Sequence, residues 1–146
     1  MAYALQAIIA RSGTISEPLL EQLKIVHLSG GVDLIPIGQD AIKAHALPFL
    51  PLTDEGREGL PRKLAEFCER LSAQGLLAYV EAEFFGGTGT QAYALFSAGN
   101  RIGHVVVSDS AINEALRHLG IGKGEAFDEF NAVGLGRYQS TDDWLV

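Results

Sequence analysis

The chain has 146 residues, a formal net charge of −7, and 47% hydrophobic against 20% charged residues. That length buries a core without staples. The negative charge argues against nucleic acid, whose phosphates are bound by Lys and Arg, and against anionic membrane surfaces. The single cysteine, Cys68, excludes an intramolecular disulfide, so no oxidising compartment is required.

Residues 3–10 are a near-continuous apolar run, which predicts a strand covered on both sides or central in a sheet. The opening MAYALQAIIAR has no basic leader and its apolar run stops at Arg11, so it reads as a buried strand and not a signal peptide. No other run approaches the ~20 residues of a membrane span, and a cytoplasmic protein is expected. After Ser12-Gly13, a helix is predicted over residues 17–27, with Pro18 in its first turn and Leu19, Leu20, Leu23 and Val26 as its buried stripe. Gly30-Gly31 ends that unit and residues 32–37 make a second short strand. The opening therefore reads as β-α-β, with a right-handed crossover if its strands are parallel.

Residues 40–47, which include His45, suit a short helix, and residues 48–59, with two prolines and TDEGREG, suit a loop. This loop is the only candidate linker and is too short to separate two domains, so residues 1–146 read as one domain. The best helix runs over residues 61–74. Pro61 starts it, Gly75 stops it, and Leu60, Leu64, Phe67 and Leu71 form its stripe. Glu66 can pair with Arg70 at i,i+4, and Cys68, beside the stripe, is expected to be a quiet, buried thiol.

Residues 76–108 predict three antiparallel strands. If GGTGT (residues 86–90) is a five-residue hairpin loop, Phe85 faces Gln91 and Glu83 faces Tyr93, with Glu81 opposite Leu95. The period of two then sorts the meander into two faces. Phe84, Ala82, Val80, Ala92, Ala94, Phe96, Val105 and Val107 form an apolar side to be roofed by helices. Tyr79, Glu81, Glu83, Phe85, Gln91, Tyr93, Leu95, Ile102, His104 and Val106 form a mixed aromatic and acidic side. Gly99-Asn100 is the predicted second turn.

Beyond the meander, Ser110 is placed to cap a helix through Leu119, with Ile112, Ala115, Leu116 and Leu119 inward. Arg117 and His118 fall in its last turn, where positive charge suits the dipole. The C-terminal GEAFDEFNAVGLGRYQSTDDWLV is acidic and aromatic, with Phe127 and Phe130 expected to anchor one helical turn. Its S-x-x-D sequence at Ser140 has the pattern of a helix start.

No strong catalytic constellation emerges. The glycines of GGTGT join two strands and are not followed by a lysine, unlike a phosphate cradle that leads into a helix. Glu81 and Glu83 share a face roughly 6.6–6.8 Å apart, a separation within reach of a glycosidase pair but common to any x-Glu-x-Glu strand. His104 lies two strands from Glu81 in the expected register, about 9.6 Å away, and no metal-ligand spacing such as H-x-x-x-H occurs. No cofactor and no metal are expected. Arg137, Tyr138 and Trp144 are residue types that dominate binding hot spots; structurally, Trp144 would plug the core edge and Arg137 would pair with Asp142 or Asp143.

YVEAEFFGGTGTQA and DEFNAVGLGRYQSTDDW together resemble a family of small uncharacterised bacterial proteins, with an AINEALRHLG-like helix between them. The resemblance covers most of the chain and implies, at most, an immunity-type partner of a secreted toxin. The reading is a single α+β domain with a mixed sheet of about five strands, including a three-stranded antiparallel meander, and helices mainly on one face. The expected function is non-enzymatic binding of a basic protein partner, without nucleic acid or membrane. The candidate face comprises Tyr79, Glu81, Glu83, Phe85, Gln91, Tyr93 and His104, together with Arg137, Tyr138 and Trp144. The rival is a small hydrolase or ligand-binding enzyme using Glu81, Glu83 and His104, and a third option is a homodimer closed through the same surface.

Overall fold

A computed structural model describes residues 2–16, 22–85 and 88–145, leaving aside the side chains of Phe85 and Thr88. Its strands are β1 (Ala2–Arg11), β2 (Val26–His27), β3 (Val32–Pro36), β4 (Leu77–Phe85), β5 (Thr88–Ser97) and β6 (Asn100–Ser108). They form one six-stranded sheet in the order β2-β3-β1-β4-β5-β6, and every neighbouring pair is antiparallel. The helices are α1 (Gln39–His45), α2 (Arg62–Leu71), α3 (Ala111–His118) and α4 (Glu129–Val133). The α+β class and the antiparallel meander are as expected; the sheet has one strand more, and it is antiparallel where a mixed sheet was expected.

Helices cover both faces of the sheet. On one side α1, α2 and the following residues bring Ala41, Leu64, Phe67 and Cys68 against Ile8, Tyr79, Ala94 and Phe96. On the other, α3, α4 and the C-terminal segment bring Ile112, Leu116, Val133 and Trp144 against Leu5, Ile9, Val80 and Tyr93. The sequence reason lies in β1 and β4, which are apolar at consecutive positions and not only at alternate ones. Leu77 to Val80 are all fully buried, and a strand greasy on both sides needs cover on both.

The opening departs from the β-α-β reading. Residues 17–21 of the expected helix lie outside the described residues, and the end of that helix is strand instead: Val26 and His27 pair with Leu34 and Asp33. Gly30 and Gly31, at φ +79° and +80°, make a tight turn between β2 and β3 that only left-handed residues tolerate without cost. Leu28 N–H closes it onto the Val32 carbonyl at 2.8 Å. The hairpin therefore wins Val26 from the helix, and β3 returns antiparallel to β1 with Ile9 opposite Leu34.

β3 pairs with β1 only from Ala7 to Arg11, which leaves the first half of β1 open on that side. The C-terminal segment fills it. Ala4 N–H donates to the Gln139 carbonyl at 2.9 Å, and Gln6 N–H donates to Thr141 Oγ1 at 2.9 Å. Trp144 thereby plugs the core edge, as expected. The S-x-x-D stretch becomes a 3-10 segment, Thr141–Leu145.

α2 and α3 match their predicted stripes. Leu64, Phe67, Cys68 and Leu71 are buried in α2, and Ile112, Ala115 and Leu116 in α3. Cys68 is fully buried, as expected, and burial pushes its thiol well up. Glu66 pairs with Arg62 at 3.4 Å, not with Arg70. In the C-terminal turn Phe130 packs against the Tyr3 ring at 5.7 Å, but Phe127 is 87% exposed and anchors nothing.

Candidate functional site

The meander forms in a different register, and this removes the single recognition face. Glu81 lies opposite Ala92, Tyr79 opposite Ala94, and Leu77 opposite Phe96. That is three residues from the GGTGT-loop expectation. Thr88 to Thr90 belong to β5, so the connection shrinks to Gly86 and Gly87, which lie outside the described residues. Two-residue connections match the twist of a hairpin best, and β-branched threonines suit a strand. An odd slip exchanges the faces of one strand relative to the other. Tyr79 and Glu81 therefore join Ala92, Ala94 and Phe96 beneath α2, while Val80 and Ala82 join Tyr93 beneath α3.

Glu81 is fully buried, and its carboxylate is met entirely by donors. Leu52 N–H donates to Oε1 at 3.1 Å, and Thr53 N–H and Thr53 Oγ1 each donate to Oε1 at 3.0 Å. Tyr79 Oη donates to Oε2 at 2.6 Å, having accepted from Gln6 Nε2 at 3.0 Å. Gln6 in turn holds the same loop, donating to the Pro48 carbonyl at 3.0 Å and accepting from Leu50 N–H at 3.1 Å. Burial raises the Glu81 carboxyl above its usual value, and the donated bonds restrain that rise. This is a clasp between the sheet and residues 48–53, with no free lone-pair direction turned toward a cleft.

The remaining predicted residues are dispersed. Glu83 is half-buried, and its carboxyl is raised by burial and then by neighbouring Asp54. Gln91 accepts from Ile112 N–H at 2.9 Å, and so caps α3 from β5 where Ser110 was expected to. Tyr93 is buried under α3 beside the His118 ring. The Phe85 side chain is not among those described. His104 is exposed on β6. Val107 is level with Glu81 across Ala92, so His104 stands three residues along and two strands away, roughly 14 Å from Glu81. Glu81, Glu83 and His104 thus do not converge, and among the described residues no group of three His, Cys, Asp or Glu is placed to hold a metal ion.

The sheet's two edges differ. β2 is two residues long, whereas β6 is nine residues long and mostly exposed, pairing only with β5 among the described residues. Gln91–Ser108 and Tyr93–Val106 pair in the expected register, and a bulge then shifts it so that Leu95 meets Ile102. Gly103, at φ +72°, sits in that bulge. On either side of it Ile102 and Val107 stand 47% and 50% exposed. Ile102 belongs to the expected mixed face, whereas Val107, expected under a roof, is half exposed.

A second feature lies where β2 meets the C-terminal segment. A pocket of about 210 Å³ is lined by Val26, His27, Leu28, Ser29, Val133, Gly134, Arg137, Tyr138 and Trp144. His27 Nδ1 is 2.6 Å from Asp33 Oδ1, with the His side chain largely exposed and the Asp buried. Asp33 also accepts from Gly13 N–H at 3.3 Å and Ser12 Oγ at 3.4 Å. A carboxylate only accepts, so Nδ1 supplies the proton of this hydrogen bond. Arg137 lies 5.6 Å from the Tyr138 ring centroid; it makes no ion pair with Asp142 or Asp143, contrary to expectation. Tyr138 packs edge-on to Trp144 at 4.7 Å. Trp144 Nε1 is the buried side-chain donor that has no acceptor among the described residues.

Arg137, Tyr138 and Trp144 were singled out in the sequence and do come together, away from the meander residues they were grouped with. His27 and Asp33 were missed. The signal was HLSGGVD: a Gly-Gly turn between alternating residues is a hairpin pattern, and it brings those two side chains together. No protein-family model, curated protein or solved structure matches the chain, so these sites stand on their geometry alone.

Proposed function

We propose that this protein is a non-catalytic binding module that takes up an extended segment of a partner protein along the open edge of β6. The observation that carries this reading is a nine-residue edge strand with Ile102 and Val107 half out of the protein. An open edge offers a row of backbone donors and acceptors, and exposed branched side chains beside it give the incoming strand apolar contacts. β6 carries neither Pro nor Lys, two residues that commonly blunt such edges.

Charge selects the partner's chemistry. β6 itself has no carboxylate, while the chain as a whole is at −7, so a basic protein is steered toward the molecule without desolvating acids at the contact. The sequence resemblance implies a secreted toxin as the partner, and the chain's negative charge favours a basic one.

The test is affinity capture from source cells with the wild-type chain and with Val107→Lys, a surface change expected to alter stability by less than about 0.5 kcal/mol. The partner is expected to co-purify with the first and be lost from the second. Equal capture by both would remove β6 as the site. A dimer of the isolated wild-type chain in light scattering, abolished by Val107→Lys, would replace the partner with a second copy.

A further inference from the structure

We infer that the pocket between β2 and the C-terminal segment is a binding site for a small carboxylate carrying an apolar body. This inference is independent of the β6 reading and rests on other residues. Among the described residues, the nine that line the pocket include no acid, and one of them is an arginine without a carboxylate partner. In a chain at −7, this exposed guanidinium lies near its neighbouring tyrosine ring and has no side-chain hydrogen-bond acceptor among the described residues. A planar carboxylate is the group that a guanidinium fork matches with two parallel bonds.

The opposite rim supplies orientation. Asp33 accepts from His27, Ser12 and Gly13, and so fixes the orientation of the imidazole at the rim. Val26, Leu28 and Val133 give the pocket apolar wall beside these polar groups. This mixture of apolar lining and a few convergent polar atoms is the usual make-up of a small-molecule site. About 210 Å³ admits a ligand of one ring or a short branched chain, and excludes a folded partner. The buried, acceptor-less indole N–H of Trp144 adds a donor on the same wall residue, and ligand entry that moves the indole would give it a partner.

Trp144 is the only tryptophan in the chain, so its indole N–H is a single resonance that reports on this pocket. The experiment titrates benzoate, benzamide and inorganic phosphate into the isotopically labelled full chain, and repeats the benzoate series on Arg137→Gln. Benzoate is expected to move the indole peak saturably while benzamide does not. Arg137→Gln should weaken benzoate by about tenfold or more, as loss of a charge-assisted contact does, with the other amide peaks confirming an unchanged fold. Three results would each overturn the inference: no saturable movement with tens of millimolar benzoate, equal response to benzamide, or undiminished affinity in Arg137→Gln. Phosphate binding tighter than benzoate would reassign the site to tetrahedral anions and overturn the carboxylate reading.

Discussion

Glu81 and Trp144 are both buried polar side chains, one beneath α2 and the other on the α3 side of the sheet, and they differ in what meets them. Glu81 accepts from two backbone amides and two hydroxyls, while the Trp144 indole meets no acceptor among the described residues. A satisfied buried carboxylate specifies the fold and has nothing left for a ligand. An unsatisfied donor beside a pocket is the kind of exception that calls for a functional account. The acidic motif that drew attention in the sequence is thus architectural, and the site of interest lies on the opposite side of the sheet.

Breaking the satisfied member should cost most. Glu81→Ala leaves Leu52 N–H and Tyr79 Oη without their acceptor in a buried setting, and is expected to destabilise the chain by about 3–5 kcal/mol. Urea denaturation measures it; a loss below about 1 kcal/mol would mean that the clasp contributes little. Glu81→Gln retains one acceptor oxygen and turns an amide toward a remaining donor, so a smaller loss of about 1–3 kcal/mol is expected.

The same pair sharpens the comparison through pH. The Glu81 carboxyl is raised in the folded chain above its ordinary 4.5, so the folded state holds that proton more tightly than the unfolded state does. The resulting stabilisation is complete below about 4.5 and is lost as pH rises through the raised value. Melting curves recorded from about pH 4 upward should therefore show a decline in wild type relative to Glu81→Gln. Parallel curves would remove the burial effect from the account.

The smallest effect is expected at the other member. Trp144→Phe deletes the unpaired N–H together with some packed area, two opposing contributions that leave stability within about 1 kcal/mol. A loss as large as that of Glu81→Ala would show that the indole N–H is satisfied in solution and would end the contrast.

Much of the architecture was legible in the chain. The stripes of α2 and α3 follow helical spacing through Leu64, Phe67 and Leu71, and through Ile112, Ala115 and Leu116. Local patterning missed β2 because Val26 and His27 also fit the end of an amphipathic helix, and only pairing with β3 decides between the two. Gln91 looked like a face residue because nothing in its neighbourhood indicates that α3, twenty residues on, places Ile112 N–H against it.

By itself, then, the sequence determined which segments are apolar and with what period, and therefore most of the helices, the meander and the α+β class. Tertiary structure alone decided the register of β4 on β5, the second helical layer and the meeting of His27, Arg137 and Trp144 at one pocket. The physical reason is that helical stripes and turn residues act over a few positions. A one-residue change in strand pairing reverses every side chain on that strand, and is settled only when all the layers pack together.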